Sequence, residues 1–544
     1  MSEEQRPLAP PGFAVRDPAP EHEIRGAFGT VPAGASNRPL SWSRRLLTLA
    51  AIMGPGLVVM VGDNDAGGVA TYAQAGQDYG PSLLWVLVLL IPTLIVAQEM
   101  VARLGAVTGV GHATLIKERF GNFWAAFSVG DLFLLNFLTL VTEFIGVNLG
   151  LRYFGITPLA SVPIVAVGLL AMVTTGSFQL WERFMFVFII TSLLMFPLAA
   201  LSHPSAQPIL TGVTHPGVRG GFNNTSVLFV IAVVGTTIAP WQLFFQQSNV
   251  IDKRITTRWL KYELADTSIG AVLTTSGAAA LMIATAFAFS HSNLAGQFGS
   301  ALTVAHGLSR QAGSASGAIF AVILVNASVI GASAVTLATS YALGDVFGLR
   351  HSLHRSPREA KGFYLTFALL IALAASVVLI PNAPLGLMTT GVQVLAGVLL
   401  PSAIVFLVLL CNDHEVLGPW VNSTRQNVVA SVIVGILVLL SLILTVTTVF
   451  PGLPLGPFTS VVVLLGAAGL IWLGLSSRKR QAKNTERLRA VGGDRRHWRM
   501  APLATLKPPV WSQGQRIGMY VLRAYLVVAV LVLGLKIGQV ATGH

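Results

Sequence analysis

Long apolar runs recur along this chain, each closed by a short stretch that is polar, basic or rich in Gly and Pro. About 20 apolar residues cross a bilayer core. On that ruler the pattern predicts thirteen helices, over 46–77, 82–103, 123–151, 157–175, 184–202, 226–250, 264–290, 314–345, 362–381, 387–411, 428–450, 458–475 and 519–541. The first 45 residues hold Pro, Arg and Gly but no apolar run, which predicts a disordered tail with no cleavable signal. Helices one to five (46–202) and six to ten (226–411) make two successive sets joined by a 203–225 loop. Helices eleven and twelve (412–475), a basic linker (476–518) and a last helix (519–544) follow.

Composition agrees with that pattern. Hydrophobic residues make up 53% of the 544 and charged residues 10%, against about 25% charged in a soluble domain. With a mean hydropathy of +0.70, a water-soluble fold of this size could not hide the apolar surface. The expected fold class is an all-α polytopic membrane protein. The single cysteine, Cys411, excludes an intramolecular disulfide and any multi-Cys metal site.

The net charge of +13 reads as topology rather than as a nucleic-acid surface. With the N-terminus inside, nearly all Lys and Arg fall in cytoplasmic segments; the outer loops hold only Arg152, Arg219 and Arg310. That asymmetry orients the chain with a cytoplasmic N-terminus, and the expected location is a bacterial inner (cytoplasmic) membrane.

Ionisable residues inside a span are costly and point to function. Four lie deep in the predicted spans: Asp63, Asp65, Asp131 and Glu143, all acidic. Lys and Arg are predicted to stay out of the core of helices one to eleven, and all eleven His to fall in loops or termini. A negative interior without a fixed cation suits a cation pathway. Asp131 and Glu143 share the third helix about 18 Å apart, too far for one site.

Two spans carry helix-breaking sequences. The first contains Gly54-Pro55-Gly56 and then Gly62-Asp63-Asn64-Asp65-Ala66-Gly67-Gly68; the sixth contains Gly235-Thr236-Thr237-Ile238-Ala239-Pro240-Trp241-Gln242. Irregular backbone at membrane depth is tolerated only where it is buried or lines a cavity. Paired interruptions opening two successive helix sets point to the substrate site of an inverted-repeat transporter.

At these breaks the sequence resembles the NRAMP (natural resistance-associated macrophage protein) metal-ion transporters. Gly54-Pro55-Gly56 with Asp65-Ala66-Gly67-Gly68-Val69-Ala70-Thr71 and Gln74-Ala75-Gly76 is similar to their GPG … DPGN … QAG pattern. Ala239-Pro240-Trp241-Gln242-Leu243-Phe244 is similar to their MPHNLF, and Gln393 with Leu400-Pro401 extends the likeness, which spans roughly 46–450. The resemblance implies a LeuT-type fold of two inverted five-helix repeats, with extra C-terminal helices, and metal import by alternating access.

The departures matter as much as the matches. Asp65 stands at the family's metal-binding Asp, but Gly68 replaces its metal-binding Asn, Ala239 its Met and Trp241 its His. On the third helix Glu143 takes the family's Asp position and Gly146 that of its acidic partner. The matched positions imply a metal site at Asp65, Gly68 and Ala239, with carbonyls of Gly62 and Thr236 and amides of Gln242 and Gln393. They also imply pathway residues Asp63, Asn64, Trp241, Glu143 and Gln246. An all-oxygen site suits Mg2+ or Mn2+, and lost side chains leave room for an ion that keeps part of its water.

The chain thus resembles most the divergent, NRAMP-related magnesium transporters. The expected activity is Mg2+ uptake, with Mn2+ as a second ion and no proton coupling. Proton-coupled Mn2+/Fe2+ transport and a non-transporting receptor are the alternatives. No catalytic constellation or cofactor motif is present, so no enzyme activity is expected. The expected partners are the ion and the bilayer, without nucleic acid or an obligate protein.

Overall fold

A computed structural model of the chain describes residues 23–32, 41–380 and 385–449, with 495, 498, 500–506, 520, 524 and 527 beyond them. The helices expected over 458–475 and 519–541, and most of the 476–518 linker, lie outside the described residues.

The chain opens with β1 (Glu23–Gly26) and β2 (Gly29–Pro32). The first helix set holds α1 (Trp42–Ile52), α2 (Pro55–Gly62), α3 (Ala66–Tyr79), α4 (Leu84–Thr108), α5 (His112–Phe120), α6 (Asn122–Tyr153), α7 (Pro158–Val173), α8 (Phe178–Ser192) and α9 (Met195–Leu201). A short α10 (Ala206–Thr214) lies in the joining loop. The second set holds α11 (Asn224–Thr237), α12 (Pro240–Asp252), α13 (Leu260–Phe289), α14 (Ala301–Gln311), α15 (Ser314–Phe347), α16 (Lys361–Val378) and α17 (Leu385–Cys411), followed by α18 (His414–Leu417) and α19 (Thr424–Val449). Among the described residues eight helical stretches are long and apolar enough to cross a membrane, nine if the bent pair α1–α2 counts as one. One of the eight runs through α3 and α4, which a 3-10 turn at Gly80–Leu83 joins.

At the centre α15 lies along α6, α13 lies against α2 and α3, and α11 packs on α17. Both broken segments, α2–α3 and α11–α12, are enclosed by these helices and are buried along almost their whole length. Irregular backbone needs that shelter in hydrocarbon.

One expectation about the N-terminus is corrected. Residues 23–32, assigned to a disordered tail, form an antiparallel hairpin with Ile24 opposite Val31. Both side chains are buried in a cluster with Ala51, Ile52 and Trp259, and that burial orders the hairpin. Within the first span the chain bends at the Gly54-Pro55-Gly56 stretch singled out in the sequence. α1 meets α2 at 53°, because Gly54 takes φ +149°, a conformation open in practice only to Gly, and Pro55 starts a new helix.

Candidate functional site

The first break spans Asp63 to Asp65. The last turn of α2 tightens, with Asp63 N–H bonding Met60 O and Asn64 N–H bonding Val61 O, both at 3.2 Å. Asp65 then extends (φ −70°, ψ −177°) and caps α3, its Oδ1 accepting from Gly68 N–H at 2.6 Å. The Ala66 N–H, which would continue the helix by bonding Gly62 O, donates instead to Glu143 Oε2 at 3.1 Å. The Gly62 carbonyl thereby loses its ordinary helical partner.

The second break has a different cause. Ile238 and Ala239 are extended and α12 begins at Pro240. Proline has no N–H, so the Thr236 carbonyl, four residues earlier, has no helical partner to accept from. Thr236 Oγ1 is buried and also makes no hydrogen bond.

Gly68 is where the two breaks face each other. A Cβ there would lie 3.0 Å from Asp63 O, 3.2 Å from Thr236 Oγ1 and 3.4 Å from Asp65 Oδ1. Gln393 of α17 reaches in beside them; its Nε2 fills the place of a Cβ on Gly67 and is itself unpaired. Glu143 stands next to Asp65, and a Cβ on Gly331 of α15 would meet both, at 2.7 Å from Glu143 Cδ and 2.9 Å from Asp65 Cβ. The structure therefore brings Asp65, Gly68, Thr236, Gln393, Glu143 and the Asp63 carbonyl to one point. Gly331 was not anticipated, since a lone glycine within an apolar helix carries no chemical signal.

Other expected residues are placed differently. Gln242 lies at the break, but its Oε1 accepts from Gln98 at 3.3 Å and its Nε2 donates to Asp63 Oδ1. The oxygen expected to face an ion is thus engaged, whereas Asp63 Oδ2 has no partner. Asn64 turns to α13, donating to Thr274 O at 3.0 Å. The α-carbon of Gly62 faces Ile330 and Trp241, and Ala239 caps α12. Gln246 bonds Thr267 and Glu263 on α13 at 2.9 and 3.3 Å, away from Asp65. Asp131 accepts from Ser402 at 3.4 Å, consistent with a packing role.

Lys253, Arg103 and Arg119 have buried side chains, each with an acidic partner. His112 is not in a loop but opens α5. It is buried there, with Nδ1 2.7 Å from Gln247 Oε1. Burial drives its pKa down to about 4, against smaller upward effects of the Gln247 hydrogen bond and Asp345, so the ring is neutral near pH 7.

A small pocket open to one side reaches Ala66 past Thr71, Gln74, Gly146, Leu149, Phe298 and Ser300. On the α2 side Trp241, Phe245 and Trp181 are buried, with Phe245 tilted against Trp241 at a centroid distance of 6.3 Å and edge-on to Trp181 at 6.0 Å. The free donors at the break are oxygens: a carboxylate, backbone carbonyls and a hydroxyl. Such a set suits hard divalent cations. Among the described residues no three His, Cys, Asp or Glu side chains are grouped to hold a metal by themselves.

The family model described as natural resistance-associated macrophage protein-like matches residues 56–447. The divalent metal cation transporter MntH of Aeromonas hydrophila is 27% identical over 421 residues, covering 73% of this chain and 96% of that protein. The Staphylococcus aureus protein of the same name is 24% identical over 420 residues, 73% of this chain and 91% of its own. Among solved structures, the Eremococcus coleocola manganese transporter bound to an aromatic bis-isothiourea substituted compound superimposes with a TM-score of 0.64 at 21% identity. That match covers 83% of this chain and 97% of the other, and it carries the LeuT fold of two inverted five-helix repeats. By the extent of the family match, which takes in both broken helices, the chain belongs to the NRAMP family.

Proposed function

We propose that this chain carries a divalent cation, Mg2+ and with it Mn2+, into the cell by alternating access. In this reading the ion rests between the two breaks at Asp65 and keeps part of its water. The observation that carries the reading is Gly68. Without a side chain there, the Asp63 carbonyl, the Thr236 hydroxyl and the Asp65 carboxylate approach within 3.0–3.4 Å of where a Cβ would lie, so oxygens of both breaks converge on one point. Mg2+ gives up water reluctantly and is held by few direct ligands. The names of the relatives, a divalent metal cation transporter and a manganese transporter, support the ion class. The family is one of metal-ion transporters and not of enzymes.

The distribution of Lys and Arg supports a cytoplasmic N-terminus in an inner membrane. The pocket at Ala66 then opens outward, and the buried rings of Trp241, Phe245 and Trp181 close the inner side. Uptake follows the membrane potential, roughly 4.6 kcal/mol for a divalent ion at 100 mV, so proton coupling is not required.

A second reading, proton-coupled Mn2+ transport, draws on Glu143, a buried acid beside Asp65 that is suited to carry a proton. Proteoliposomes with a fluorescent indicator inside decide between them. The proposal expects Mg2+ entry, weak competition by the soft ion Cd2+ and no internal acidification. Mn2+ entry without Mg2+, with acidification, would establish the second reading instead.

A further inference from the structure

A second polar cluster lies at the far end of α2, away from the ion. Lys253, at the C-terminus of α12, has a fully buried side chain. It donates to Ile52 O and Met53 O, both at 2.8 Å, and to Glu182 Oε1 at 2.6 Å. Asp266 of α13 faces the next residues: its Oδ2 accepts from the amides of Gly54, Gly56 and Leu57 at 3.0, 2.8 and 3.2 Å. The bend between α1 and α2 is therefore gripped twice. A cation holds the carbonyls that end one helix, and an anion holds the amides that start the next.

The hairpin closes the cluster from outside. Glu182 Oε2 accepts from Ala27 N–H at 2.6 Å. Gln179 donates to Gly26 O at 3.0 Å and Arg183 to Ala27 O at 3.1 Å. Gly26 lies so close that a Cβ there would collide with Ala51 O and sit 3.1 Å from Lys253 Nζ.

We propose that Glu182, Lys253 and Asp266 are positioning residues that hold α2 in its closed place, and that the β1–β2 hairpin bolts them there. The inference rests on the alternating-access reading of the preceding subsection. α2 is a lever about 12 Å long, with this cluster at one end and Asp63 at the other. Lys253 also terminates α12, so one side chain ties the inner halves of both broken helices together. A buried ion pair contributes little net stability but makes loss of one partner costly, which suits an all-or-none closure. When α2 swings away, water reaches the separated charges and the open state is solvated in turn.

Thiol labelling tests this without relying on transport. In a Cys411→Ser background, Val58→Cys reports on the buried α2, and Leu149→Cys reports on the open pocket. Glu182→Gln removes the charge at constant shape. Gly26→Val unseats the hairpin without altering any charge. Both should speed modification of Val58→Cys by a membrane-impermeant methanethiosulfonate roughly tenfold while slowing it at Leu149→Cys, a shift between two states. Unchanged rates at Val58→Cys in both variants, each eluting as the parent does on gel filtration, would overturn the proposal. So would faster labelling at both reporters, which is loosening rather than gating. If no variant moved any ion but the reciprocal shift persisted, the transport reading would fail and the lock would stand.

Discussion

Asp65→Asn isolates the charge at the centre of the site. Asp65 both caps α3 through Gly68 N–H and supplies the carboxylate at the break. Asn is as good an N-cap as Asp, so the substitution keeps the backbone and removes one negative charge. A divalent ion about 5 Å from that charge, with one water between, interacts by roughly 7 kcal/mol gross at an effective dielectric near 20. Desolvation and the remaining oxygens offset much of this. If a third survives, about 2 kcal/mol, kcat/KM for uptake falls about 30-fold. The assay is initial-rate Mg2+ and Mn2+ uptake into proteoliposomes below saturation, with thermal unfolding of the solubilised protein as the control for the cap. An Asp65→Asn protein of unchanged stability with more than a third of wild-type kcat/KM would refute the assignment. If Asp63→Asn abolished uptake in its place, the charge that matters would be the one whose Oδ2 lacks a partner.

Two further outcomes follow from the same geometry. Gly68→Asn needs Asp63 O to yield by a few tenths of an ångström and puts an amide between Asp65 and Thr236; the Mg2+-to-Mn2+ uptake ratio should drop about tenfold, read by competition with the two ions. His112 has a folded pKa lowered to about 4, against about 6.5 unfolded. The unfolded chain therefore binds the extra proton between those values, and stability rises with pH across that window. As pH falls from 6.5 to 4 about 3 kcal/mol is lost, and His112→Gln should flatten that part of a thermal-unfolding profile.

Hydropathy located the spans because hydrocarbon demands about 20 apolar residues of each, and Gly, Asp and Pro marked both breaks because each disfavours helix. The convergence at Asp65 was legible from Gly68 and Gln393, which fall at matched positions in an aligned pattern. What stayed hidden depends on distant partners. Lys253 sits in Asp252-Lys253-Arg254, which reads as a polar loop; only Glu182, 71 residues away, shows it to be buried. The hairpin has four-residue strands in a tail of Pro and Arg, too short for periodicity to register. Gln242 matched a ligand position, yet its amide is spent on Asp63 and Gln98, a choice that no local pattern encodes.

The two breaks are alike in outline but not in permanence. The defect at Pro240 is covalent: no rearrangement supplies the missing N–H, so the Thr236 carbonyl lacks that helical partner in every state the protein visits. The interruption before Ala66 is borrowed. Its N–H exists and is lent to Glu143, a residue on another helix, and returning it to Gly62 would rejoin α2 and α3. One half of the cradle is therefore a fixed anvil, while the other can be mended and broken again by whatever moves α6 or changes the proton on Glu143. Asp65 sits on the mendable side, so the ion's principal charge belongs to the part of the frame that can change shape.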